Sequence, residues 1–116
     1  MQITERHVGD VAIIDLNGRL VLGDSDSLLR DKVNSLVQQG EKHIVVNLGQ
    51  VPYMDSSGIG ELVGCYTTVT RRGGALKLIG LTKRISDLLA ITKLLTVFDA
   101  YDTEKEAIAS FRPVNV

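Results

Sequence analysis

The sequence contains no tryptophan, one cysteine, two histidines and two prolines in 116 residues, and its aromatic side chains are three Tyr and two Phe. A lone cysteine cannot close an internal disulfide, which excludes a stapled secreted scaffold and fits a reducing compartment. So few His and Cys also leave little material for metal ligation or nucleophilic catalysis. An excess of one charge is missing as well. The 13 Lys+Arg stand against 14 Asp+Glu, whereas nucleic-acid binding needs clustered basic residues to neutralise phosphates. Long apolar runs are absent. The longest uncharged stretch, His43 to Met54, contains Asn47, Gln50 and Pro52 and falls short of the roughly 20 apolar residues of a membrane span. The opening Met1-Gln2-Ile3-Thr4-Glu5-Arg6 has neither the basic cap nor the apolar core of a signal peptide. The expectation is a soluble, cytoplasmic chain with no nucleic-acid partner and no membrane contact, folded as a single domain over residues 1–116.

What is present is an alternation of strand and helix signals. Ile3–Val8 and Val11–Leu16 flank a Gly9-Asp10 turn and predict an antiparallel hairpin closed by Asn17-Gly18, with Arg19-Leu20-Val21-Leu22 an irregular extension. Asp24 or Ser25 suits the cap of a helix whose inward face is Leu29, Val33, Leu36 and Val37, ending at Gln39 before Gly40. His43–Leu48 is a β-branched run of the kind buried on both faces, followed by a polar turn, Gly49-Gln50-Val51-Pro52. Ile59, Leu62, Val63, Tyr66 and Val69 or Thr70 recur at helical spacing up to Arg71-Arg72 and Gly73-Gly74. Ala75–Ile79 predicts another strand, Thr82 caps a helix with Ile85, Leu88 and Leu89 inward, and Thr96-Val97-Phe98 predicts a short last strand. Thr103 and Glu106 form a capping box for a terminal helix through Phe111, stopped by Pro113. The fold class is α/β, a mixed and mostly parallel sheet of four to five strands with an N-terminal antiparallel hairpin and about four helices.

One segment stands out for function: Tyr53-Met54-Asp55-Ser56-Ser57-Gly58-Ile59-Gly60. It follows a buried strand and opens a helix, so it falls on the carboxyl edge of the sheet, where open α/β folds place their sites. Two readings stay open on spacing alone. Asp and Ser are ordinary helix caps and the glycines permit close packing; alternatively, the first-turn N–H groups and the positive helix end favour an anion or a phosphate. A bound nucleotide is disfavoured, since Val63 stands where G-x-G-x-x-G needs its third glycine and no G-K-[ST] occurs. A covalent phosphate on a serine of this turn fits, adding about −1.5 to −2 charge where the helix end tolerates it.

Enzymatic constellations fail one by one. A serine hydrolase wants G-x-S-x-G and a later His, yet both His7 and His43 precede the serines. Neither His has a second ligand at metal spacing, and Cys65 falls inside a helix, where a small packing role is the ordinary one. Arg71-Arg72 and Lys83-Arg84 read as solvated helix ends.

The run Val51 to Gly60, then Gly73-Gly74-Ala75-Leu76-Lys77-Leu78, closely resembles the STAS domain of bacterial anti-sigma factor antagonists. The likeness extends over nearly the whole chain, through His43–Leu48, Ile85 to Leu95 and Glu106-Ala107. Its centre is the D-S-[ST]-G-[IL]-G motif in a strand–helix setting.

The resemblance implies the STAS fold and a partner-switching regulator rather than an enzyme. In that scheme the unmodified protein binds an anti-sigma factor that is also a serine kinase, freeing a sigma factor. The kinase phosphorylates the serine directly after the motif Asp, which maps to Ser56, with Ser57 the alternative acceptor. A metal-dependent phosphatase of the PP2C type resets the switch. Met54, Asp55, Ser57, Gly58, Ile59 and Gly60, with Asp24, then form the motif and partner surface, and no cofactor or metal belongs to the chain itself. Members often carry G-E-[LIV]-D after the second strand; here Gly18-Arg19-Leu20-Val21 stands there, and Asp24 and Asp26 supply the acids instead. A second implied role is an unmodified STAS scaffold in a signalling or transport assembly. A free edge strand in the N-terminal half would support a weak homodimer.

Overall fold

The hairpin expected at the start is the edge of a five-stranded sheet. In a computed structural model that describes residues 1–21 and 28–111, β1 (Gln2–Val8) and β2 (Val11–Asn17) pair antiparallel around the Gly9-Asp10 turn, Val8 opposite Val11. Helix α1 (Leu28–Gln38) leads to β3 (His43–Gln50), α2 (Ser56–Arg71), β4 (Ala75–Ile79), α3 (Lys83–Ile91), β5 (Asp99–Tyr101) and α4 (Glu104–Ser110). The sheet order is β1-β2-β3-β4-β5, and every pairing after the hairpin is parallel.

Strand alternation divides the core. Ala12, Ile14 and Leu16 of β2, Ile44, Val46 and Leu48 of β3, and Leu76 and Leu78 of β4 face one layer with Leu29, Val33, Leu36 and Val37 of α1, Leu62, Cys65 and Val69 of α2, and Ile85 and Leu89 of α3. Val11, Ile13, Val45 and Ile79 face the other side, where Ala107 of α4 covers them with Ile108 and Phe111. The β-branched run of β3 is buried on both faces because helices lie on both.

Polar contacts pin α4 to its side of the sheet. Arg6 on β1 donates to Asp15 on β2 (Nε to Oδ2, 2.6 Å) and to Glu104 at the start of α4. Asn47 on β3 donates to Asp15 at 2.8 Å. Arg6 thereby holds the Asp15 carboxyl below the ordinary carboxylate range, with Asn47 assisting against partial burial.

Two expectations change. The supposed turn at Gly49-Gln50 is strand, because β3 continues to Gln50, whose carbonyl accepts from Gly18 N–H at 3.0 Å. Thr96-Val97-Phe98 is not a strand: the N–H groups of Val97 and Phe98 both bond the Leu94 carbonyl in a turn, and pairing with β4 begins only at Asp99. Phe98 is buried there as a core plug, edge-on to Tyr66, so its apolar character reports burial and not strand pairing. The proposed caps Asp24 and Ser25, the acidic Asp26, and Pro113 lie outside the described residues.

Candidate functional site

Parallel β3 and β4 end on the same edge of the sheet, and α2 and α3 start from that edge. The motif occupies the β3–α2 connection. Met54 forms a parallel bridge with Leu20 and is buried. Leu20 N–H donates to the Tyr53 carbonyl at 3.0 Å, and Asp55 N–H donates to the Leu20 carbonyl at 3.3 Å. The chain after β2 is thus laced to the chain before α2.

Asp55 is the N-cap of α2. Its backbone is extended (φ −102°, ψ −173°), and Oδ1 accepts from the Gly58 N–H at 2.9 Å, satisfying one of the donors that a helix start leaves without an intrahelical partner. Both readings of the motif are therefore compatible with the geometry: Asp55 caps the helix, and Ser56 and Ser57 occupy its first two positions. Ser56 is exposed and Ser57 partly covered. Gly58 is buried, and any side chain there would strike the Leu20 carbonyl oxygen and the Met54 side chain. Gly60 is exposed with open space around it, so no close approach demands glycine at that position. Ile59 is half-buried against the core, continuous with Val63 and Tyr66.

Other residues of interest disperse. His7 bonds Glu41 at 2.7 Å on the outer strand, and His43 lies 3.4 Å from Asp10 and stacks on Phe111. Among the described residues, no three His, Cys, Asp or Glu side chains cluster as a metal site. Cys65 is fully buried in the core layer, and burial, reinforced by the nearby Glu61 charge, pushes its thiol up to about 12. Arg71 and Arg72 are exposed at the end of α2. Lys83 and Arg84 begin α3, and Arg84 lies over the Tyr53 ring, 5.9 Å from its centroid. Among the described residues, no helix is long and apolar enough to cross a membrane.

Two participants escape sequence reasoning. Leu20 contributes through its backbone, and only its place as an apolar residue in an irregular stretch marks it. The Tyr53–Arg84 contact joins positions on consecutive strand–helix connections, which no local pattern reveals.

A mixed five-stranded sheet with an antiparallel first pair, and a capped Asp-Ser-Ser-Gly turn at its carboxyl edge, define the class. The chain belongs to the STAS domain family, whose model matches residues 2–107. It is 29% identical over 116 residues to the anti-sigma F factor antagonist of Paenibacillus polymyxa, covering 99% of this chain and 98% of that one. It is 31% identical over 110 residues to the anti-sigma-B factor antagonist of Listeria monocytogenes, covering 91% of each. In fold it is similar to the Bacillus anti-sigma factor antagonist SpoIIAA, solved unphosphorylated and phosphorylated. Each form superposes with a TM-score of 0.73 at 24% identity; the unphosphorylated form covers 97% of this chain and the phosphorylated form 96%, each over 100% of the other.

Proposed function

We propose that this protein is an anti-sigma factor antagonist that works by partner switching. Its unphosphorylated form binds an anti-sigma factor that is also a serine kinase and frees a sigma factor. Transfer of the ATP γ-phosphoryl group to the Ser56 oxygen, with loss of the hydroxyl proton and release of ADP, dissolves that complex. A PP2C-type phosphatase hydrolyses the ester and restores the binding form. On this reading residues 1–116 act as one STAS domain in the cytoplasm, and ATP, metal and catalytic base all belong to the partners.

The observation that carries the proposal is the exposed Ser56 hydroxyl at the first position of α2, held by the Asp55 cap and the Gly58–Leu20 contact. A phosphate here meets the positive end of the helix, so the fold tolerates it. The cost falls on a docked partner, through charge and desolvation. Every 1.4 kcal/mol or so is about tenfold in affinity, so a few kcal/mol suffices to release it. The relatives' names and the two SpoIIAA forms support the same reading.

The test is incubation with ATP and each candidate serine kinase from the same genome, with the phosphate located by mass spectrometry. Phosphate on Ser56, lost in Ser56→Ala, is the expected result. No mark on Ser56 or Ser57 with any such kinase overturns the switch in favour of an unmodified scaffold.

A further inference from the structure

Lys83 and Arg84 lie in the first turn of α3, where the positive end of the helix disfavours cations. Lys83 is answered one turn on by Asp87, 2.9 Å away. Arg84 has no carboxylate partner among the described residues; its guanidinium lies on Tyr53, which is itself exposed. Tyr53 precedes Ser56 by three residues, so their Cα atoms are at most about 11 Å apart. Because β3 and β4 are adjacent and parallel, α2 and α3 both begin at that edge of the sheet. A cation set against its own helix end is thus held on the ring of Tyr53, three residues before the exposed Ser56.

We propose that Arg84 is a phosphate-sensing residue, lying on the Tyr53 ring while Ser56 is unmodified and pairing with the phosphate once Ser56 carries one. The inference rests on Ser56 being the acceptor. An exposed cation–π contact is weak and loosely oriented, whereas a phosphate offers three strong acceptors that match the guanidinium fork. Asp55, next in sequence, repels the new charge and makes a nearby cation more valuable to it. Phosphorylation then alters the docking face twice: it adds negative charge at position 56, and it draws Arg84 off Tyr53 and uncovers the ring.

The test uses full-length protein with phosphoserine installed at position 56 by genetic encoding, so it does not depend on the kinase. Its phosphate is titrated by phosphorus NMR. The second proton should leave the otherwise wild-type phosphoprotein at a pH about half a unit lower than in Arg84→Gln, roughly threefold in proton affinity. Arg71→Gln, at the far end of α2, should leave the midpoint unchanged. Equal midpoints with and without Arg84, or an equal shift from Arg71→Gln, overturn the sensing role. Kinase labelling reports separately on the acceptor. Labelled Ser56 with an Arg84-independent titration overturns the sensing role alone, whereas unlabelled Ser56 overturns the acceptor assignment and the sensing role with it.

Discussion

A Cβ added at Gly58 would lie 2.1 Å from the carbonyl oxygen of Leu20. That oxygen already accepts from the Asp55 N–H, so the first turn of α2 sits directly on the segment that leaves β2. Ser56 is consequently fixed from two sides, by the Asp55 cap and by a neighbouring stretch of backbone, while it stays exposed. On the proposed reading, a site that a kinase must reach, and that a partner must read as one defined surface, benefits from this rigidity.

Gly58→Ala should therefore destabilise the fold by about 1–3 kcal/mol, since backbone rather than a flexible side chain must move aside. Gly60→Ala, two residues on and facing open space, should instead gain about 0.5–1 kcal/mol from reduced backbone entropy in the unfolded chain. Urea unfolding of the two variants checks the contrast. Equal and small effects would mean that the Leu20 carbonyl does not constrain the turn.

Asp55 carries two separable duties, a hydrogen-bond acceptor for the Gly58 N–H and a charge beside Ser56. Asp55→Ala removes both and should cost about 0.5–2 kcal/mol of stability. Asp55→Asn keeps an acceptor oxygen and should remain within a few tenths of wild type, since Asn caps about as well as Asp. If Asp55→Asn also keeps its affinity for the proposed kinase partner, the carboxylate acts only as a cap; a tenfold or greater loss at near-wild-type stability assigns the charge to recognition. Calorimetry of folding and of binding reads the two duties independently.

Most of the architecture was legible because periodicity and capping chemistry agree with burial. The α1 stripe Leu29, Val33, Leu36 and Val37 is buried as spaced, and Thr82 and Thr103 cap α3 and α4 through the Ile85 and Glu106 N–H groups. Phe98 looks like a strand residue because aromatic character reports burial, and a turn can bury it as well as a strand. The long-range part of the site was invisible for a different reason: Leu20 acts through a carbonyl that every residue has, and Arg84 reaches Tyr53 across a strand boundary. Sequence spacing encodes neighbours along one element, not contacts between two.

Cys65 should be chemically silent in the native state. Its thiol is buried and held up to about 12, chiefly by burial and further by Glu61, so little thiolate exists near neutral pH. A thiol-reactive probe at mildly alkaline pH should label the protein only on unfolding, at a rate that follows the opening of the core. Cys65→Ser should cost about 1–3 kcal/mol, because a more polar hydroxyl replaces sulfur among Leu62, Val69 and their neighbours. Fast native labelling would show that α2 separates from the sheet readily.

Arg6 and Asp15 should give stability a defined response to acid. Arg6 holds the Asp15 carboxyl below its ordinary value of about 3.9. Between that ordinary value and the lower folded one, the unfolded chain binds a proton that the native protein does not. The contribution of the pair is thus fully present above the ordinary value and is lost as pH falls through the lower one. In Arg6→Gln the Asp15 carboxyl moves back toward its ordinary range, so the variant should be less stable at neutral pH and its stability should fall less steeply on acidification. Arg6 also bonds Glu104, so loosening of α4 should accompany the change, read as faster amide exchange at Ala107 and Ile108. Urea unfolding of both proteins at neutral and strongly acidic pH supplies the slopes. Parallel stability–pH curves would show that the ion pair, half-exposed as it is, adds nothing beyond what solvent already provides.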